Sequence, residues 1–279
     1  MTAAPDKAPE GYRPPSDRVF FFCLILLGSS YILIIVAMLV ADATFTTPSH
    51  FLASFRSPEI RYAIWLSLCS CTITTVMSLW VAVPIGYLMS RFQFRGKVVI
   101  DAVMDIPIVL PPLVIGLSLL ILFQTPAGRL FQGLVKVTYE IPSVILAQFM
   151  VACAFAVRTM QVTFDQINQR QEQVALTLGC SRAQAFWIVV FPQARRGLLT
   201  AASLAWARAL GEFGPILIFS GATRMKTEVL PTTIFLELTV GNIEAAVAVS
   251  LLMVLCAAAV LVIVRIYGRD APFGKLLRL

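Results

Sequence analysis

Apolar positions in this chain gather into long uninterrupted blocks instead of alternating with polar ones. They run approximately over 19–41, 62–89, 99–123, 142–157, 199–220 and 243–264. Blocks of about 18 or more apolar residues are read as helices crossing a membrane. The pattern therefore predicts an all-α membrane protein with six transmembrane helices, the fourth being the shortest. The longest polar connection, about 40 residues, lies between the fourth and fifth blocks, and a connection of that length is usually functional. Within it good helix formers dominate from roughly Gln161 to Leu178, and Gly179 stands where a left-handed residue would end the helix. Ser181 followed by Gln184 has the spacing of a capping box, which starts a second helix. That helix is expected to carry Phe186, Trp187 and Val190 on neighbouring positions of one face and to be cut off by Pro192.

Composition agrees with a membrane reading. The chain is 58% hydrophobic and 13% charged, with a mean hydropathy of +0.84, whereas soluble domains are nearer half apolar and a quarter charged. The net charge of +7 would suggest nucleic acid if the cations were clustered on a soluble face, so their distribution decides what it means. With the N-terminus inside, fifteen Lys and Arg fall in the segments on the inner side and six in the outer loops. By the positive-inside rule both termini are cytoplasmic, and the charge anchors helices against an anionic inner leaflet. Residues 1–18 are polar, too long and too poorly charged for the start of a cleaved signal peptide, and read as a cytoplasmic tail. Residues 19–267 then form the six-span domain and 268–279 a second cytoplasmic tail.

The usual parts of an enzyme are missing from the sequence. His50, in the first outer loop, is the single histidine, so neither a Ser/His or Cys/His pair nor a histidine-rich metal site can be assembled. The Gly-Lys pairs at Gly96 and Gly274 lack the upstream glycine and following hydroxyl of a phosphate-cradling loop. Five of the six cysteines lie in apolar blocks, with Cys180 in the polar connection, and they read as apolar filler. No catalytic residue, metal ligand or cofactor is expected.

Informative chemistry lies instead where helix breakers and charges interrupt the spans. The stretch "DIPIVLPPLVIG" places Pro107, Pro111 and Pro112 in the third block, each removing a helical hydrogen bond. This is either a packing kink or a break lining a pathway. In "ARALGEFGPILIFSG", Arg208 and Glu212 are four apart and can pair on one helical face, with Gly211, Gly214 and Pro215 around them. The pair either neutralises itself or takes part in a path or gate. Asp101 and Asp105, at the start of the third block, suit a helix N-terminus and need no other role.

The polar connection resembles the cytoplasmic signature of the permease subunits of type I (MetI-like) ABC importers: E-A-A, three residues, G, nine residues, I-x-L-P. Gly179 is followed by nine residues and then by Val189, Val190, Phe191 and Pro192. The opening triplet departs from it, since strict spacing selects Gln173, Val174 and Ala175, with Glu172 one place early. Within the family, "DIPIVLPPLVIGLSLLILF", "LPTTIFLEL" and "GNIEAAVAVSLLMV" look most like permeases for molybdate, and also resemble those for tungstate and sulfate. The resemblance implies a non-catalytic subunit of the bacterial inner membrane, paired as a homodimer or heterodimer. Two ATPase subunits would dock beneath it and an extracytoplasmic binding protein above.

It implies that residues 162–192 couple to the ATPase, through Glu172, Gln173, Ala175, Gly179, Ser181, Phe186, Trp187 and Pro192. Pro111, Pro112, Arg208, Glu212 and Gly214 would border the translocation path or gate. Two rival readings are a secondary transporter using Arg208 and Glu212 as coupling charges, and a membrane scaffold that moves nothing. The first would need an inverted repeat, which the two halves do not echo.

Overall fold

The computed structural model describes residues 18–45 and 55–269. His50 and the two tails, up to residue 17 and from residue 270, lie outside the described residues. The chain divides into two compact units, Met1–Phe45 and Thr46–Leu279. In the first, a single helix α1 spans Arg18–Phe45 and is apolar around its whole circumference.

The second unit is also helical. Helix α2 (Pro58–Arg91) starts at Ser57, whose hydroxyl accepts from the Ile60 N–H with Pro58 at the first position. Next come α3 (Lys97–Val109) and α4 (Pro112–Gln124), bent by 111° at Leu110–Pro111, then a short α5 (Pro126–Leu134) and the long α6 (Ile141–Gln166). The fourth block is thus not the shortest helix, because helix-forming residues extend it beyond 157. Pro107 sits inside α3 without ending it, and Pro112 begins α4. The break belongs to Leu110 and Pro111, both held extended, as the residue before a proline is disposed to be.

After the polar connection, α9 (Phe191–Leu210) and α10 (Gly214–Phe219) are separated at Gly211, and α11 (Leu230–Val240) precedes α12 (Ile243–Arg269). Among the described residues, four helices are long and apolar enough to cross a membrane, or five if the bent pair is one span. The fifth sequence block is not among them: its helix begins earlier, at Phe191, carries Arg195, Arg196 and Arg208, and is interrupted before α10.

Helices α2 and α6 pack along one another in parallel, and Thr74 Oγ1 meets Gln148 Oε1 at 3.2 Å between them. Helix α9 lies against both. This core is built from small residues, with Ala82, Ala152, Ala156, Ala201, Ala205 and Ala209 fully buried. Small side chains let helix backbones approach closely, where lipid offers no hydrophobic drive for association. A second cluster joins α4, α6 and α10 through Ile115, Leu119, Val144, Val151, Ile216 and Phe219. Some polar groups in this interior find partners within the bundle: Ser67 Oγ accepts the Leu230 N–H at 2.8 Å, whereas the buried Ser78 hydroxyl has none.

Candidate functional site

The polar connection begins where α6 stops. Ile167 and Asn168 are extended, and Asn168 Oδ1 accepts the Arg170 N–H at 3.0 Å to open α7 (Gln169–Thr177). The expected single helix from Gln161 to Leu178 is therefore two, divided at this cap. Gly179 has φ of +90° and makes the corner, while the Cys180 N–H reaches back to the Ala175 carbonyl at 3.1 Å. At Ser181 both arms of the capping box are formed: its hydroxyl accepts from the Gln184 N–H at 3.3 Å, and its own N–H donates to Gln184 Oε1 at 2.8 Å. A short α8 (Arg182–Ala185) follows.

Pro192 does not stop this helix, contrary to the sequence expectation. Residues Phe186–Val190 widen into a π turn, in which the Phe191 N–H bonds to the Phe186 carbonyl, and the chain runs straight on into α9. A wide turn just ahead of a proline relieves the clash of its ring with the preceding turn, so the helix continues past it.

The aromatic residues also divide between two faces. Val190 is fully buried and Phe186 half-buried, the latter against the Tyr87 ring at 4.9 Å, whereas Trp187 is 61% exposed. Positions one apart are about 100° apart around a helix, so only the residues four apart share the inner face. Glu172 and Ala175 also point inward. Glu172 accepts the Tyr87 hydroxyl at 2.5 Å and lies 3.2 Å from Arg91 Nε. On the outer face Val174, Leu178, Trp187 and Ile188 are exposed together with Gln173.

A second constellation forms where the two broken spans cross. A Cβ on Gly116 of α4 would fall 2.8 Å from Pro215 Cα, and one on Gly214 would fall 3.1 Å from the Leu113 nitrogen. Beside this crossing is a cavity of about 310 Å³, with Pro112, Leu113, Arg208, Glu212 and Gly214 in its walls. Pro111 adjoins it as the residue capping α4. The breaks in "DIPIVLPP" and "ALGEFGP", remote in sequence, thus share one space. Arg208 Nη2 pairs with Glu212 Oε1 at 2.7 Å and its guanidinium lies over the Phe155 ring at 5.0 Å.

Phe155 also borders an open groove of about 900 Å³ between α6 and α9. Arg196, Thr200 and Leu204 line it from α9, and the same four-residue ridge continues to Arg208, whose partner Glu212 lies just past the helix end. The groove hydroxyls of Thr159, Thr163 and Thr200 each donate to a carbonyl of their own helix, at 2.9, 2.7 and 3.0 Å. They present lone pairs to the groove and offer an anion no donor.

Asp101 and Asp105, read from sequence as suiting a helix N-terminus, lie beyond the first turn of α3, which begins at Lys97, and share a different partner. Arg158 of α6 donates from Nε to Asp105 Oδ1 and from Nη1 to Asp101 Oδ1, both at 2.6 Å. Their spacing of four along α3 was the signal that both could face one cation.

Residues 82–271 match the family described as the inner membrane component of binding-protein-dependent transport systems. The chain belongs to this family. Among the permeases it resembles are the sulfate transport permease CysT of Salmonella typhimurium, 30% identical over 92% of this chain and 91% of that one. A probable molybdenum ABC transporter permease of Haloferax volcanii is 33% identical over 86% of each chain. The molybdenum transport permease ModB of Mycobacterium tuberculosis is 33% identical over 94% of this chain and 98% of that one. The crystal structure of a bacterial alginate ABC transporter, in complex with an alginate pentasaccharide-bound periplasmic protein, contains a chain with the same fold. Its TM-score is 0.73 at 13% identity, over 89% of this chain and 93% of that one.

At the other end of the helices from α7 and α8, the loop between α10 and α11 is tied down by charge. Lys226 Nζ meets Glu140 Oε1 at 2.5 Å, Arg224 Nη2 meets Glu237 Oε1 at 2.8 Å, and the Tyr62 hydroxyl donates to the Lys226 carbonyl at 3.0 Å. Hydrogen bonding to Glu237 raises the Arg224 pKa. Glu228 is fully buried in the same loop, and no donor meets either carboxylate oxygen in hydrogen-bonding geometry. Burial raises its pKa, opposed in part by the Arg224 charge. Periodicity could not have singled out Glu228, since its burial comes from the folding of a loop.

Proposed function

We propose that the chain is the non-catalytic transmembrane subunit of an ATP-driven importer that carries a tetrahedral oxyanion across the bacterial inner membrane. Molybdate is the first substrate, with sulfate or tungstate of the same geometry as the alternative. The observation that carries this reading is the similarity, at 30–33% identity along most of the chain, to permeases named for sulfate and for molybdenum. The permease works as a homodimer with two ATPase subunits beneath it and a binding protein above, and with both termini cytoplasmic. The alternation of α2, α3–α4, α6 and α9 supports that orientation, because it gathers Arg91, Arg158, Arg170, Arg182 and Arg196 at one end.

At that end residues 162–192 receive the ATPase. Gly179 and Ser181 set the corner, Gln173, Trp187 and the neighbouring Leu178 and Ile188 face the partner, and Glu172, Ala175 and Phe186 hold the segment to the spans. An aromatic on an exposed apolar face is the usual anchor of helix-in-groove recognition, and Pro192 joins that face to α9. The substrate passes the crossing bordered by Pro111, Pro112, Arg208, Glu212 and Gly214 and leaves along the α6–α9 groove. Groove hydroxyls occupied by backbone carbonyls suit passage rather than capture, the Arg208–Glu212 pair carries no net charge, and Arg196 in the groove wall supplies the cation that attracts an anion along it.

Reconstitution with the ATPase and binding protein in liposomes tests this. Molybdate-loaded binding protein should raise ATP hydrolysis and drive molybdate uptake. If sulfate-loaded protein alone does so, the substrate is sulfate; if no ATPase joins the complex, the importer reading fails.

A further inference from the structure

Glu172 is the one acidic residue of α7, and it faces away from the surface on which Val174, Leu178, Trp187 and Ile188 are exposed. Its carboxylate instead closes a junction of four segments. Tyr87, near the end of α2, donates its hydroxyl to Oε1 at 2.5 Å. Arg91, the last residue of α2, places Nε 3.2 Å from Oε2 and donates from Nη2 to the Ile167 carbonyl at 3.0 Å, at the corner between α6 and α7. The Tyr87 ring also stands edge-on to Phe164 of α6 at 5.6 Å and to Phe186 of the π turn at 4.9 Å. The Arg91 side chain is only 5% exposed and that of Glu172 11%, and neither Nε nor Nη1 of Arg91 has an acceptor in hydrogen-bonding geometry, so the guanidinium meets the carboxylate by charge.

We infer that Glu172 is a positioning residue that bolts the α7–α8 pair to the end of α2, so that displacement of the pair by a docked ATPase moves α2 with it. This inference rests on the proposed ATPase coupling and deepens it. The Arg91 charge is buried, and within reach it has only the Glu172 carboxylate and one carbonyl for compensation. Neutralising Glu172 would leave that cation buried with little support, a much costlier state than removing both charges together. The pair would then separate, and α7 would lose its hold on α2 while its outward apolar face stayed intact. Gln173, the next residue, is exposed. A glutamate there could reach neither Tyr87 nor Arg91, because neighbouring helical positions point about 100° apart.

The test has two arms. In the purified permease alone, Glu172→Gln should speed amide hydrogen exchange across residues 169–177, and the double variant Arg91→Gln with Glu172→Gln should restore slow exchange. In the reconstituted complex, Glu172→Gln should keep its ATPase subunits but lower oxyanion imported per ATP about ten-fold, partly recovered in the double variant. Unchanged exchange in Glu172→Gln overturns the bolt. So does loss of the ATPase from Glu172→Gln, since that would make the carboxylate a direct partner contact. A wild-type permease that binds no ATPase but shows the exchange effects overturns the coupling reading and leaves the bolt standing.

Discussion

Gly116 and Gly214 occupy the crossing of the two broken spans, where the neighbouring backbone leaves no room for a Cβ at Gly116 and would crowd one at Gly214. For Gly116→Ala the new Cβ would meet Pro215 Cα at 2.8 Å. Forcing the helices apart should cost about 1–3 kcal/mol, read as a lowered unfolding temperature in detergent. Glu228 makes the opposite case, a side chain that fits in space but not in charge. Its folded pKa is raised above the ordinary 4.5 by burial, so the fold favours the neutral acid. No penalty exists below the unfolded value; it grows as pH rises through the folded one. Glu228→Gln should therefore be more stable than wild type at neutral pH, with the gap in unfolding temperature closing as pH falls towards 4. A constant gap would show that the charge is not the cause.

At the scale of elements, the long spans were legible because lipid demands a continuous apolar surface, and α2, α6 and α12 follow the blocks that announced them. The corner at Gly179 and the cap at Ser181 were legible too, since both depend on residues within five positions. What failed was the behaviour of Pro192, because whether a proline ends a helix or passes through a widened turn depends on what holds the helix on either side. Here buried Val190 and Ala194 hold it. The role of Asp101 and Asp105 was similarly hidden, as their partner lies more than 50 residues away. Helix α3 packs mainly on α6, and the Arg158 pairing is one of the contacts that attach it. Arg158→Leu should raise amide exchange in residues 97–109 while leaving α4, held by α10, protected. Equal exchange in both helices would mean that the bent pair moves as one.

Across the whole molecule, the crossing of broken spans, the Arg208–Glu212 pair and the α6–α9 groove line up along one face of α9. If that face carries the substrate, Leu204→Trp, which fills the groove, should reduce uptake to background while ATPase binding persists. Uptake at the wild-type rate would place the path elsewhere. The sequence by itself determined the helical membrane class, the location of the corner at Gly179, the breaks and the Arg208–Glu212 pair, because each arises from hydropathy or from neighbours within a turn or two. Only the tertiary structure decided that Glu172 turns inward to Arg91 and Tyr87, that Trp187 is left exposed while Phe186 is half-buried, and that two distant helix breaks border one cavity. Those outcomes depend on which helix lies beside which, and close packing between segments far apart in the chain, rather than local propensity, settles that arrangement.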